Sequence, residues 1–158
     1  MANYTILLID YEPRCIEMLR EPLVDAGFSV EVAKDGELGV EAFERCLPDL
    51  TLVEAMLPKL HGFDVCRRLK ATEHGRASAV LLMTSIYKKA AHRRQAHECG
   101  ADGCLQKPIA ADDLLSDVLS FLKPIPSLAG SGTNVGDSGE TPSEAHLDIT
   151  SRLDALFG

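Results

Sequence analysis

Along the first 123 residues, short and densely apolar runs alternate with longer stretches whose apolar positions recur every three or four residues. The runs Tyr4–Ile9, Ser29–Ala33, Leu50–Val53, Ala79–Met83 and Gly103–Leu105 predict strands. Between them, Arg14–Ala26, Glu37–Cys46, Phe63–Thr72, Lys89–Cys99 and Asp112–Lys123 predict helices. Ile16, Leu19 and Leu23 share one face of the first helix, and Leu114, Leu115, Val118, Leu119 and Leu122 give the last its apolar face. Gly27, Gly75 and Gly100 stand just past helix ends, where a left-handed cap is often needed. Pro22 lies inside the first helix and predicts a kink there, or a break held by tertiary contacts.

Strands and helices joined this tightly imply parallel strands with right-handed crossovers. Ile6–Ile9, Leu50–Val53 and Val80–Met83 are almost continuously apolar, as strands covered on both faces should be. Val30-Glu31-Val32 alternates, and the fifth strand is short and contains a glycine, so these two belong at the edges. The expected fold is α/β: a doubly wound, five-stranded parallel sheet in the order 2-1-3-4-5.

The pattern fails after Pro124. Residues 124–146 are rich in Ser, Gly, Pro and Thr and too poor in apolar residues to bury a core, which predicts a flexible linker. Residues 147–158 then place Ile149, Leu153, Leu156 and Phe157 on one face of a short helix. A helix of that length is marginal in water and needs a surface to fold on, so this docking tail is either a frayed end or a motif that seats on a partner or on its own domain.

Charge divides the chain the same way. The total is −8, with pI near 5.0. Residues 1–123 hold 15 Lys+Arg and 19 Asp+Glu, a balance of −4, and the remaining 35 residues hold 1 and 5, another −4. That sign disfavours nucleic acid and anionic membrane as partners. Five cysteines, an odd number without a C-x-x-C pair, predict reduced and mostly buried thiols. No apolar run approaches the roughly 20 residues of a membrane helix, and no basic segment followed by an apolar one opens the chain. A cytoplasmic protein without membrane insertion is expected.

In an open parallel sheet the ligand site lies beyond the carboxyl ends of the strands. There the sequence puts Asp10, Tyr11 and Glu12, then Glu54, then Thr84 and Ser85, then Lys107 and Pro108. Carboxylates, a hydroxyl and an ammonium converging in one crevice suit phosphate with a divalent cation.

Four segments carry a specific likeness: Leu8-Ile-Asp-Tyr-Glu-Pro13, Pro48 to Gly62, Thr84-Ser85, and Gly100-Ala-Asp-Gly-Cys-Leu-Gln-Lys-Pro108. Together they resemble the receiver domain of bacterial response regulators, with a flavodoxin-like receiver fold of the same strand order, over residues 4–123. By that resemblance 1–123 is the receiver domain, Glu54 stands at the phosphoacceptor position, and Asp10 is one of two acidic pocket residues. Thr84, Lys107 and Pro108 are the phosphate-contact equivalents, and Asp10, Glu54 and Met56 would hold magnesium, Met56 through its carbonyl.

The departures are an acid replaced by Tyr11, a phosphoacceptor one methylene longer at Glu54, and Cys104 where the family has an aromatic switch residue. A phenol in place of a ligand weakens magnesium, which demands near-octahedral oxygens. The longer acid misaligns in-line attack, where a shift of about 1 Å can cost roughly a hundredfold. The expectation is an atypical single-domain response regulator, not an enzyme, acting in two-component (phosphorelay) signalling as a protein–protein adaptor without being phosphorylated. The alternative is a magnesium-dependent phosphoacceptor still served by a histidine kinase. Glu54 itself reads two ways: as drift with loss of phosphorylation, or as an extended carboxylate reaching Thr84 and Lys107 where a phosphoryl group would sit.

Lys88, Lys89, His92, Arg93, Arg94 and His97 make the fourth helix basic. That fits a solvated face, or an output surface (Lys88, Lys89, Arg93, Arg94 and Cys104) for an acidic partner such as a kinase or effector. His61 and His74 read as loop histidines on the surface, Asp35-Gly36 as a turn, and Glu12 as a first-turn helix residue. The oligomeric state stays open.

Overall fold

The computed structural model describes residues 3–85, 94 and 97–122. Five strands run in chain order: β1 (Thr5–Ile9), β2 (Ser29–Ala33), β3 (Leu50–Glu54), β4 (Ala79–Thr84) and β5 (Gly103–Gln106). They form one parallel sheet in the order β2-β1-β3-β4-β5. This is the expected order, and burial explains it. β3 and β4 are buried along their whole length, and β1 is buried from Ile6 onward. β2 alternates towards solvent, and β5 is short and ends exposed.

Strand alternation divides the core into two layers. Ile6, Leu8, Leu52 and Leu81 face helices α1 (Pro13–Asp25) and α5 (Ala111–Phe121), through Ile16, Leu19, Leu23, Leu114 and Val118. Leu7, Ile9, Val53 and Leu82 face α2 (Gly36–Cys46) and α3 (Gly62–Lys70), through Phe43, Phe63, Val65 and Leu69. Every central strand is therefore covered on both sides, which is why its sequence lacks polar alternation.

Several local expectations change. α1 runs unbroken through Pro22, whose carbonyl still accepts the Ala26 N–H at 3.0 Å. Gly27 and Gly100 take the left-handed conformation (φ 101° and 85°), as their positions after helix ends predict. Gly75 does not: it lies inside a further short helix, α4 (Glu73–Ala77), that periodicity missed. A Cβ at Gly75 would fall 1.7 Å from the Leu69 carbonyl oxygen, so close packing rather than a cap requires glycine there.

Asp35-Gly36 is a helix start and not a turn. The Asp35 carboxylate caps α2 by accepting the Leu38 N–H at 2.8 Å. His61 and His74 are not bare surface histidines. His61 caps α3, and His74, within α4, lies 2.6 Å from the Pro48 carbonyl oxygen and packs against Phe43. Cys66, Cys99 and Cys104 are buried, Cys15 and Cys46 are half-buried, and none of the five is in a disulfide. Burial raises the Cys46 thiol above its ordinary value.

Candidate functional site

Four loops at the carboxyl edge of the sheet bring the site together. Asp10 follows β1, Glu54 ends β3, Thr84 ends β4 and Lys107 follows β5. The Lys107 N–H donates to the Thr84 carbonyl at 2.8 Å, so the β4–β5 ladder fixes where the lysine begins. The Lys107–Pro108 peptide bond is cis. Gly62 sets the other wall. A Cβ there would lie 2.2 Å from the Glu54 carbonyl oxygen, and its N–H donates to the Ala55 carbonyl at 2.9 Å. Only glycine lets α3 start this close behind the end of β3.

One ammonium holds two acids. Lys107 Nζ donates to Asp10 Oδ2 at 2.7 Å and to Glu54 Oε1 at 2.5 Å. The remaining carboxylate oxygens accept backbone N–H groups: Asp10 Oδ1 from Glu12 at 3.1 Å, and Glu54 Oε2 from Met56 at 2.9 Å. Asp10 has no exposed surface and Glu54 is 6% exposed. Charges buried this deeply persist only when paired and hydrogen-bonded, and every carboxylate oxygen here has a donor. Burial by itself disfavours the Lys107 ammonium, but the hydrogen bonds and negative charges of Asp10 and Glu54 outweigh it and hold its pKa well above the ordinary lysine value. Two carboxylates against one ammonium leave the trio with a net charge of −1.

The structure thus joins Asp10, Glu54 and Lys107. Thr84 is buried at the end of the neighbouring strand, where Glu54 is in register with Met83. Tyr11 and Met56 are about half exposed (49% and 47%). Glu12 is the residue that caps α1 rather than part of its first turn, and its side chain makes no capping bond.

The assignment of Cys104 to the output surface is overturned: Cys104 is buried in the core, because β5 alternation turns it towards the α2–α3 layer. Arg94 is exposed. Lys88, Lys89, His92 and Arg93 lie outside the described residues, as do the linker at 124–146 and the tail residues Ile149, Leu153, Leu156 and Phe157.

Beside the trio opens a cavity of about 500 Å³. Cys15, Met18, Leu19 and Ile109, which sequence reasoning did not assign to the site, line it together with Tyr11 and Met56. The available signal was the spacing of Cys15, Met18 and Leu19, which puts them on one face of α1 one turn after Tyr11.

The family resemblance implies magnesium, and the residues present do not fit it. A hard divalent cation of this kind requires near-octahedral oxygens. Where the resemblance implies a further carboxylate the chain has the phenol of Tyr11, and the Lys107 ammonium is bonded to both Asp10 and Glu54. Among the described residues no three His, Cys, Asp or Glu side chains are grouped to hold an ion.

The sequence matches the response regulator receiver domain family over residues 6–119. The chain belongs to that family. As a receiver it is a component of two-component signalling, where receivers interact with histidine kinases and effectors. It is 32% identical over 145 residues to the response regulator MprA of Mycobacterium leprae, covering 92% of this chain and 59% of MprA. It is 34% identical over 118 residues to the DNA-binding dual master transcriptional regulator RpaA of Synechocystis, covering 75% of this chain and 48% of RpaA. The chain therefore spans about half to three-fifths of these relatives.

Among solved structures, the receiver domain of the Pseudomonas aeruginosa sensor histidine kinase PA1611, with magnesium coordinated in its active site cleft, superposes with a TM-score of 0.71 at 26% identity. That match covers 76% of this chain and 98% of the other. The chemotaxis response regulator CheY4 of Vibrio cholerae shares the fold, with a TM-score of 0.72 at 22% identity over 77% of this chain and all of its own. No helix among the described residues is long and apolar enough to cross a membrane.

Proposed function

We propose that this receiver is an atypical one that works as a protein-interaction module of a two-component pathway in the cytoplasm, without taking up phosphate and without catalysing a reaction. One observation carries the reading: Lys107 is bonded at once to Asp10 and to Glu54. The lysine that would otherwise meet a phosphoryl group is already engaged by a carboxylate one methylene longer than the family's acceptor.

Two further features support it. Tyr11 stands where the family has an acid, so neither the cation nor an in-line donor is held as in a phosphorylated receiver. The Glu54–Lys107 bond also belongs to the folded chain itself, so the loops at the carboxyl edge of the sheet are tied together without any donor. The partner is then a protein, a histidine kinase or an effector, that reads this tied shape. Magnesium plays no part in it, and nucleic acid is no partner of this domain.

The test is to incubate the protein with acetyl phosphate and magnesium and follow its intact mass. No phosphoryl adduct is expected on the wild-type chain. The double variant Tyr11→Asp/Glu54→Asp restores the family's acids, and a magnesium-dependent adduct is expected on it. A stable acyl-phosphate on the wild-type chain supports the alternative, a magnesium-dependent phosphoacceptor, and overturns this reading.

A further inference from the structure

The cavity beside Lys107 combines two properties, an apolar wall and a surplus of negative charge. Its wall is largely apolar: Tyr11, Met18 and Met56 all line it, and with exposures of 49%, 61% and 47% they are among the large hydrophobic residues this chain leaves in water. Isolated apolar side chains on a surface are ordinary, but three converging on one concavity mark a place where an apolar group sits. The volume, about 500 Å³, is that of a small-molecule pocket. Cys15 and Leu19 extend the same wall along α1, and the thioethers of Met18 and Met56 adapt to irregular shapes.

The other property is charge. Asp10, Glu12 and Glu54 line the cavity against the single ammonium of Lys107, so three negative charges face one positive, a balance of −2. The pocket keeps the electrostatic demand of a cation site but lacks the ligand geometry of a hard metal ion. An organic ammonium meets that demand without octahedral ligands, since it offers hydrogen-bond donors to carboxylates and interacts favourably with an aromatic face. Tyr11, which stands where the resemblance implies a metal ligand, is an aromatic residue of the cavity wall.

We infer that the cavity binds a small organic ammonium compound with an apolar body, the cation beside the exposed Glu12 and in the field of the negatively charged Asp10–Glu54–Lys107 trio, and the body lying against Tyr11, Met18 and Met56. The inference rests on the reading that the pocket has lost its metal and phosphate chemistry. It turns an altered phosphorylation site into a site for ligand control of the same module. An anionic ligand is disfavoured by the same balance, because Lys107 is already neutralised by two carboxylates.

The probe is phenethylammonium, titrated calorimetrically into the full chain beside 2-phenylethanol, which is neutral with the same ring, and phenylacetate, which is anionic. The ammonium is expected to bind about tenfold or more tightly than the alcohol, with no binding of the carboxylate. Met18→Arg, at an exposed position, should weaken the ammonium by a similar factor by blocking the wall and adding a like charge. Glu12→Gln should weaken it less, and Leu119→Arg, outside the cavity on α5, should leave it unchanged. Equal binding of the three probes, or no heat from the ammonium, overturns the inference. Displacement of the ammonium by millimolar magnesium, or an acyl-phosphate on the wild-type chain, overturns instead the loss of metal chemistry on which the inference stands.

Discussion

The two ends of this sheet each hold a half-buried lysine against carboxylate, and they are built differently. At the amino edge Lys70, the last residue of α3, donates to Asp102 Oδ2 at 2.8 Å and to the carbonyls of Gly75 and Ser78 at 2.7 and 3.2 Å. Asp102 Oδ2 also accepts the Val80 N–H at 2.8 Å. One positive charge meets one negative charge, and neutral carbonyls take the remaining donors. At the carboxyl edge Lys107 meets two carboxylates, and a surplus negative charge stays in the interior.

A balanced pair knits α3, α4, β4 and the approach to β5 together. It has no use for a further ion. An unbalanced trio is costlier to bury and keeps an attraction for something positive. The contrast separates a structural bridge from a site, although both consist of the same residue types at similar distances.

The largest way to break the contrast is to remove Lys107. Lys107→Met leaves two buried carboxylates without their cation and should destabilise the fold by roughly 3–5 kcal/mol, read as a drop in the urea midpoint at neutral pH. Lys70→Met should cost less, about 1.5–3 kcal/mol in the same assay. Asp102 keeps the Val80 N–H and is partly open to water, its side chain being 23% exposed. If Lys70→Met proves the more damaging, surplus charge is not what distinguishes the two lysines.

The smallest effect is a pH dependence. Lys107 has a folded-state pKa above its unfolded value, near 10.4, so its contribution to stability is complete below about pH 10. It declines as the pH climbs through the folded-state value. Urea midpoints of the wild-type chain should therefore fall more steeply above pH 10 than those of Lys107→Met. Parallel curves would remove Lys107 as the cause.

The local apolar code carried most of the architecture. Continuous burial of Ile6–Ile9, Leu50–Val53 and Val80–Met83 against the alternation of Val30-Glu31-Val32 was enough to order the sheet, because strand burial depends on position in the sheet. Asp10, Glu54 and Lys107 were legible as site residues for a similar reason: a doubly wound sheet gathers the residues at the carboxyl ends of its strands along one edge. α4 escaped because five residues hold barely one turn of periodicity. Cys104 was misplaced because a family position was carried over where strand alternation decides the direction.

The sequence alone determined the fold and the edge at which the polar residues meet, since each depends on residue type and spacing along the chain. Tertiary structure alone decided that Lys107 holds both acids and that Lys70 holds one. It alone opened an apolar cavity between α1 and the loop after β5. The lysine contacts join residues 53 and 97 positions apart for Lys107 and 32 apart for Lys70, and no local pattern encodes them.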